Sequence, residues 1–255
     1  MRATLPANSP SPITRRARSR SPRNCSTSSV APPHWRSKLP PFAAVIFDMD
    51  GVLVDGEPLH FRAVNALLGE EGRSITLEQY KPYMGTKSGW QELIRDFGLA
   101  RPYEHYAGRY PGILLERYRD EAAALPGAVD FVRKLRIAGV PLAVASSSIK
   151  PWVEAALARI GLGDAFDVMV TGSDVSEGKP DPAIYLLAAG RIGFPPRDCL
   201  AIEDAPAGIE SAHAAGMTCW AVRTEYTRGL PLPNPDREFD TLEAVSIADV
   251  IGVAA

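Results

Sequence analysis

Cysteine is scarce and long apolar runs are missing from this sequence, and each absence excludes a class of protein. No apolar run approaches the roughly 18 residues that a membrane-spanning helix needs, so no membrane association is expected. The three cysteines, Cys25, Cys199 and Cys219, lie far apart and form no Cys-x-x-Cys pair. The sequence therefore indicates neither a disulfide framework nor a zinc site, and we expect a reducing, cytoplasmic compartment.

Acidic residues are missing from residues 1–40, which hold seven arginines and one lysine among many serines and prolines. This composition, without apolar periodicity, predicts a disordered extension. It also resembles an organellar transit peptide, so targeting and an extension without function both stay open. Residues 41–255 hold 20 basic and 30 acidic residues, a net charge of −10, which argues against nucleic acid as a partner.

Two aspartates follow the first apolar run of the folded part. Residues 43–47 are all apolar and predict a buried strand, which ends in Asp48-Met49-Asp50-Gly51. Residues at i and i+2 of a strand point to the same side, so Asp48 and Asp50 should lie side by side and repel each other unless a cation or a proton intervenes. A solvated turn is the alternative, whereas an EF-hand calcium loop would follow a helix and carry a later glutamate. We interpret the pair as catalytic.

From residue 126 onward, short apolar runs alternate with amphipathic segments. Repeated strand–helix units of this kind predict the α/β class, with a Rossmann-like parallel sheet covered by helices on both faces. The predicted strands are 43–47, 141–145, 167–170, 199–202 and 218–222, and the predicted helices are 57–72, 88–97, 103–119, 128–138, 151–160, 182–192 and 206–215.

A helical block separates the first strand from the others. Strand signals are nearly absent from residues 57–121. We therefore predict that residues 56–125 form a helical cap inserted into a core made of residues 41–55 and 126–255. Ligands of open parallel sheets bind at the carboxyl ends of the strands, which places the expected site beneath this cap.

Hydroxyl groups and a lysine follow two further predicted strands. Ser146 and Ser147 end one of them, where hydroxyls and amides are natural donors to a phosphate, although Ser148 in the same run could simply cap the next helix. Lys179 precedes Pro180-Asp181-Pro182, whose prolines restrict the backbone near the start of a helix. Each signal is ambiguous alone, and the agreement of several strand ends favours a phosphate site.

Glu203 and Asp204 form a second acidic pair at the end of a predicted strand. Together with Asp48 and Asp50, they would concentrate negative charge at a high energetic cost unless a divalent cation binds. Oxygen ligands of this kind suit Mg²⁺.

The four strand-end motifs resemble those of the haloacid dehalogenase superfamily, in the helical-cap branch that includes β-phosphoglucomutase and phosphoglycolate phosphatase. The resemblance spans residues 42 to about 223. The motifs are residues 48–55, Ala145-Ser146-Ser147, Gly178-Lys179-Pro180 and residues 202–208.

The resemblance implies a role for each motif residue. Asp48 would be the nucleophile that forms an aspartyl-phosphate, and Asp50 the general acid/base. Asp48, Asp50, Glu203 and Asp204 would hold Mg²⁺, with Asp50 contributing its backbone carbonyl. The phosphoryl oxygens would be bound by the remaining motif residues, Ser146, Ser147 and Lys179.

The implied activity is hydrolysis of a small phosphorylated metabolite, either a sugar phosphate or a compound like phosphoglycolate, by an enzyme expected to be monomeric. The alternatives are a phosphomutase and, more remotely, a binding module without activity. Mutases of this branch typically carry Gly-Val-Ser-Arg on a cap loop, where this chain has Gly85-Thr86-Lys87-Ser88. Ser88 stands at the position of the arginine, and Lys87 beside it could supply charge. Lysine is a flexible point charge and not a bidentate clamp, so the missing arginine favours hydrolysis. The expected substrate contacts of the cap are His60, Lys87, Ser88 and Trp90.

Overall fold

The computed structural model describes residues 41–83, 89–229 and 231–252. The predicted disordered extension, residues 1–40, and the predicted substrate contacts Lys87 and Ser88 lie outside these residues. In the described part, no helix has both the length and the apolar character needed to cross a bilayer.

Six parallel strands form one sheet. The strands are β1 (Ala44–Phe47), β2 (Leu142–Ser146), β3 (Val168–Thr171), β4 (Cys199–Glu203), β5 (Thr218–Val222) and β6 (Arg237–Phe239). Their order is β3-β2-β1-β4-β5-β6, with every neighbouring pair parallel. Chain order reverses direction at β1, and a reversal of this kind opens a crevice at the carboxyl ends of the strands. The predicted α/β class is confirmed.

Helices cover both faces of the sheet. They are α5 (Ala128–Ile137), α6 (Lys150–Arg159), α7 (Ala183–Ile192), α8 (Pro206–Ala214) and α9 (Ile247–Ile251). Along β1, Val45 and Phe47 pack into one apolar cluster, whereas Ala44 and Ile46 pack into a second cluster. Side chains alternate across a strand, so two buried faces explain why β1 is apolar at every position.

Between β1 and α5 most of the described residues are helical. The helices are α1 (Glu57–Gly69), α2 (Leu77–Tyr80), α3 (Gly89–Phe97) and α4 (Tyr103–Glu121). These helices have an apolar cluster of their own, which includes Leu67, Leu93 and Tyr106. The helix α4 also packs on α6, where the Trp152 indole Nε1 donates a hydrogen bond to the Pro111 carbonyl oxygen at 3.0 Å.

Three strands, β2, β3 and β4, end one residue later than the sequence predicted. Ser146 is the last residue of β2 and Glu203 the last of β4. Apolar patterning ends a strand at its last apolar residue, whereas the pairing of Ser146 with Thr171 and of Glu203 with Ala221 continues the sheet. Both polar side chains are therefore held by the rigid sheet and not by a loop.

Candidate active site

The carboxyl ends of β1, β2 and β4 open into one cavity of about 820 Å³. The seven predicted residues of the core motifs all line it: Asp48, Asp50, Ser146, Ser147, Lys179, Glu203 and Asp204. His60 and Trp90 line the same cavity from the helical segment, which therefore contacts it as well. The structure thus gathers side chains from positions up to 156 residues apart.

Lys179 is the centre of the ionic contacts. Its Nζ lies 2.5 Å from Asp48 Oδ1, 2.5 Å from Glu203 Oε1 and 3.0 Å from the Ala145 carbonyl oxygen. Burial lowers the pKa of the Lys179 ammonium. The carboxylates of Asp48 and Glu203 together raise the pKa by more than burial lowers it, so that the pKa lies above its ordinary value. Lys179 therefore stays charged at any physiological pH.

A buried tyrosine supports this lysine from below. The Tyr185 hydroxyl donates a hydrogen bond to Glu203 Oε1 at 2.6 Å, and the Lys179 Nζ lies 5.0 Å from the centre of the Tyr185 ring. The ring face attracts the cation while the hydroxyl orients its carboxylate partner. Sequence reasoning missed Tyr185, since a tyrosine on the apolar helix α7 gives the same signal as an ordinary core residue.

Three buried carboxylates, those of Asp48, Glu203 and Asp204, form an acidic cluster whose ligand atoms lie within 4.8 Å of one another. Burial raises the pKa of Asp48 to about 8; Lys179 opposes the rise and Glu203 adds to it. Burial, with Glu203 and Asp48 adding to it, also places the pKa of Asp204 well above its ordinary value. One ammonium does not neutralise three carboxylates, so the cluster has the charge and the oxygen donors that suit a hard divalent cation.

Two glycines make room for the acidic cluster. Gly51 has a φ of +82°, and a Cβ built there would collide with the Asp204 carboxylate. A Cβ at Gly208, in the first turn of α8, would collide with the Glu203 carboxylate. The glycines of the first and fourth motifs therefore permit the backbone to approach the carboxylates closely.

Asp50 lies in different surroundings from Asp48. The Tyr118 hydroxyl donates to Asp50 Oδ1 at 2.7 Å, and the Ser148 hydroxyl donates to Asp50 Oδ2 at 2.9 Å. The Asp50 side chain is not part of the acidic cluster. The two aspartates after β1 thus have different partners, which is the condition for two carboxylates to take different roles.

Ser148 does not cap a helix, contrary to one interpretation of the serine run. Ile149 occupies the N-cap position of α6 without a side-chain bond, and the Ser148 hydroxyl is engaged by Asp50. Ser146 is buried, and its hydroxyl oxygen accepts a hydrogen bond from the Ser148 backbone N–H at 3.1 Å. Ser147 is exposed to the cavity. Within this run, Ser148 therefore binds Asp50, whereas Ser147 faces the open cavity.

His60 joins α1 to α4 through two tyrosines. Its Nδ1 lies 2.6 Å from the Tyr110 hydroxyl and its Nε2 lies 2.9 Å from the Tyr118 hydroxyl. Burial lowers the pKa of His60, so the ring is neutral. The Tyr118 proton is directed at Asp50, so we assign the His60 proton to Nε2, which donates to Tyr118, and Tyr110 donates to Nδ1. The result is a directed chain of hydrogen bonds that ends on Asp50.

Tyr118 could not be found from the sequence. It lies 58 positions from His60 and 68 positions from Asp50, on a helix whose buried positions look like ordinary core. The predicted cap contact Trp90 lines the cavity and stacks on Tyr106, with ring centres 5.0 Å apart. Packing by Tyr106 therefore holds one face of the indole.

Comparison with known proteins identifies a family and several relatives. The family model of the haloacid dehalogenase-like hydrolases matches residues 42–216. Fructose-1-phosphate phosphatase YqaB of Escherichia coli is 34% identical over 185 residues, which are 71% of this chain and 97% of the relative. Phosphoglycolate phosphatase 1 of Pseudomonas aeruginosa is 30% identical over 236 residues, which are 89% of this chain and 84% of the relative.

Solved structures also match. Two crystal structures of CbbY from Rhodobacter sphaeroides, one with phosphate and one of a mutant with xylulose-(1,5)bisphosphate, each superpose with a TM-score of 0.73. They are 29% and 28% identical and cover 82% of this chain and 99% of that chain. The fold and the site define a phosphatase-type enzyme with an α/β core. The chain belongs to the haloacid dehalogenase-like hydrolase family.

Proposed function

We propose that the protein is a Mg²⁺-dependent phosphatase that hydrolyses a small phosphomonoester through an aspartyl-phosphate on Asp48. The observation that supports this most is the separation of the two aspartates within one cavity. Asp48 contacts Lys179 and shares the acidic cluster, whereas Asp50 accepts hydrogen bonds from Tyr118 and Ser148.

Asp48 attacks the phosphorus atom of the substrate, and the bond between phosphorus and the ester oxygen breaks. Asp50 gives its proton to the leaving oxygen, which departs as an alcohol. In the second step Asp50 takes a proton from water, the water oxygen attacks the phosphorus of the aspartyl-phosphate, the bond between phosphorus and the Asp48 oxygen breaks, and inorganic phosphate leaves. Covalent catalysis by a carboxylate divides a very slow hydrolysis into two easier steps.

Positive charge is needed because an anionic nucleophile must approach an anionic ester. Where Mg²⁺ binds, the Asp50 carbonyl and the acidic cluster would hold it, and it would supply charge that stabilises the ionised nucleophile and the transferring phosphoryl group. Lys179 contributes a further permanent charge at 2.5 Å from Asp48. Ser146 and Ser147 complete the proposed binding of the phosphoryl oxygens.

The helical segment is the proposed source of substrate selection. We assign residues 56–125 to a cap and the segments 41–55 and 126–255 to the core. The relatives that act on fructose 1-phosphate and on phosphoglycolate support a small phosphorylated metabolite as the substrate class. The proposed cap contacts are His60 and Trp90, together with Lys87 and Ser88 of the loop outside the described residues.

The test is phosphate release from a panel of phosphomonoesters with Mg²⁺, by the full chain and by two variants. We expect release by the wild type and a loss of at least about a thousandfold in Asp48→Asn. Asp50→Asn should still take a phosphoryl group from p-nitrophenyl phosphate, because that leaving group needs no proton, and the covalent adduct should be visible by mass spectrometry.

Release from no member of the panel would falsify the proposal. An adduct in Asp48→Asn, or equal rates in wild type and Asp48→Asn, would remove Asp48 as the nucleophile. A product analysis with β-glucose 1-phosphate separates the alternatives, because a phosphatase yields free phosphate whereas a mutase yields an isomeric sugar phosphate.

A further inference from the structure

Glu57 is a cavity residue that the proposed chemistry does not use. It is the first residue of α1 and lines the cavity together with Asp50 and Tyr110. Its Oε2 atom is buried and has no hydrogen-bond partner among the described residues. Buried carboxylates are normally bonded, so an unpartnered one beside a substrate cavity needs an explanation.

This carboxyl group shares the cavity with carboxylates and phenol rings, those of Asp50, Asp55, Tyr80 and Tyr110. Burial raises the pKa of Glu57 to about 7, and the carboxylates of Asp50 and Asp55 add to the rise. Burial raises the pKa of Tyr80 and of Tyr110, and the charge of Glu57 is the second cause in both cases. Both phenols line the same cavity as Glu57, and no described cation lowers the pKa of Glu57.

The described cations of the cavity are engaged elsewhere. Lys179 is held by Asp48 and Glu203, and Lys81 pairs with Glu78 at 2.5 Å. No arginine lines the described part of the cavity. A second anionic group on a substrate would therefore meet the charge of Glu57 without a described positive partner.

We infer that Glu57 determines substrate specificity by accepting a hydrogen bond from a hydroxyl of the part of the substrate that does not react, and by repelling any second anionic group there. This inference rests on the proposed phosphatase function. The substrate class it defines is a monophosphate of a sugar or polyol, which carries hydroxyls and no further charge. Carboxylated substrates such as phosphoglycolate, and bisphosphates, are rejected.

The relatives leave this choice open, because their substrates differ in charge. One hydrolyses fructose 1-phosphate, one phosphoglycolate, and CbbY binds a bisphosphate. Specificity is measured as the ratio of the kcat/KM values of two substrates. Glu57 would change this ratio in two ways, by accepting a hydrogen bond from a hydroxyl of one substrate and by repelling the additional negative charge of the other.

The experiment compares kcat/KM for fructose 1-phosphate, phosphoglycolate, fructose 1,6-bisphosphate and p-nitrophenyl phosphate, using the full chain with Mg²⁺. We expect the wild type to prefer fructose 1-phosphate over phosphoglycolate and the bisphosphate at least about tenfold. Glu57→Gln should lower this preference at least about tenfold, because the amide has no charge to repel an anion. Glu57→Asp should keep the rejection of both anions and lose activity on the sugar.

The matched control is Glu210→Gln, an exposed glutamate on α8 that does not line the cavity, and its preference should equal that of the wild type. A wild type that prefers phosphoglycolate or the bisphosphate overturns the inference alone, as does an equal loss on all four substrates in Glu57→Gln. Release of phosphate from none of the four by the wild type overturns the proposed function together with the inference.

Discussion

Asp48 and Asp50 are separated by one residue, yet their carboxylates have different partners. Asp48 contacts an ammonium and lies within 4.8 Å of two further carboxylates, whereas Asp50 contacts two hydroxyl donors. Environment, and not residue type, separates the two proposed roles. The partner that contributes most from outside the core motifs is Tyr118, because it connects Asp50 to His60 and to α4.

Replacing Tyr118 with phenylalanine removes the hydroxyl and keeps the ring against His60 and Trp152. We expect kcat to fall about tenfold, equivalent to about 1.4 kcal/mol, because Asp50 loses one of its two orienting donors. Ser148→Ala removes the other donor and should reduce kcat by a similar factor. Steady-state kinetics measure both effects, and an unchanged kcat in both variants would contradict an orienting role.

Glu57 makes the stability of the folded protein depend on pH. Its pKa rises from 4.5 to about 7 on folding, because burial and two neighbouring carboxylates disfavour the charged form. The folded state holds this proton more tightly, so the free energy of unfolding is highest below the unfolded pKa and falls as the pH rises towards about 7.

Glu57→Gln removes this penalty. We expect the variant to match the wild type at about pH 4 and to exceed its free energy of unfolding at about pH 8, by up to about 3 kcal/mol. Denaturant unfolding of the metal-free proteins at the two pH values measures the difference. A variant that is less stable than the wild type at the higher pH contradicts the assignment of an uncompensated charge to Glu57.

At the scale of single elements, two helical glycines form a matched pair. Gly208 of α8 faces the Glu203 carboxylate, whereas a Cβ at Gly190 of α7 would meet nothing within 4 Å. Alanine favours a helix over glycine by roughly 0.5–1 kcal/mol when no collision occurs. The two substitutions therefore differ only in what the added methyl group contacts.

Gly190→Ala should raise the free energy of unfolding by that amount, about 0.5–1 kcal/mol, and leave phosphate release unchanged. Gly208→Ala should displace Glu203 and lower the apparent affinity for Mg²⁺ about tenfold or more, because the carboxylate moves relative to the other two. Calorimetric titration with Mg²⁺ and denaturant unfolding measure the two effects. Equal Mg²⁺ affinity in both variants would show that the position of Glu203 does not matter for the metal.

Elements with a strong pattern could be predicted, and elements without one could not. The continuous apolar run of β1 and the periodicity of α5 each predict a buried element, and the structure contains both. The strand β6 has only three residues, none fully buried, and was not predicted. A short edge strand is specified by the backbone groups of β5, its neighbour, and not by its own side chains.

At the scale of the whole molecule, the sheet order decides which charges meet. The strands β1, β2 and β4 are neighbours although more than 50 residues separate each from the next in the chain. Their parallel pairing brings the acidic cluster together at one edge. Burial raises the pKa values of Asp48 and Asp204, and the neighbouring carboxylates of the cluster add to the rise. The folded protein therefore stores unfavourable charge that a cation can relieve.

Mg²⁺ should consequently stabilise the folded protein. We expect Tm of the metal-free protein to rise on addition of Mg²⁺, by about 2–4 °C for each kcal/mol of binding free energy. Asp204→Asn should abolish most of this rise, and Asp164→Asn, at an exposed position, should retain it. Thermal unfolding monitored by circular dichroism tests this, and an equal rise in all three proteins would place the bound cation elsewhere.

The sequence by itself determined the class of fold, the strand that carries the aspartate pair, and the residue types at the ends of the other strands, because local periodicity and strand-end motifs are encoded in neighbouring residues. Only the tertiary structure decided that Tyr118 and Ser148 contact Asp50, that Tyr185 supports Lys179, and that Glu57 Oε2 is buried without a hydrogen-bond partner among the described residues. Residues that lie far apart in the chain come into contact only through sheet order and helix packing. No local sequence pattern predicts these contacts.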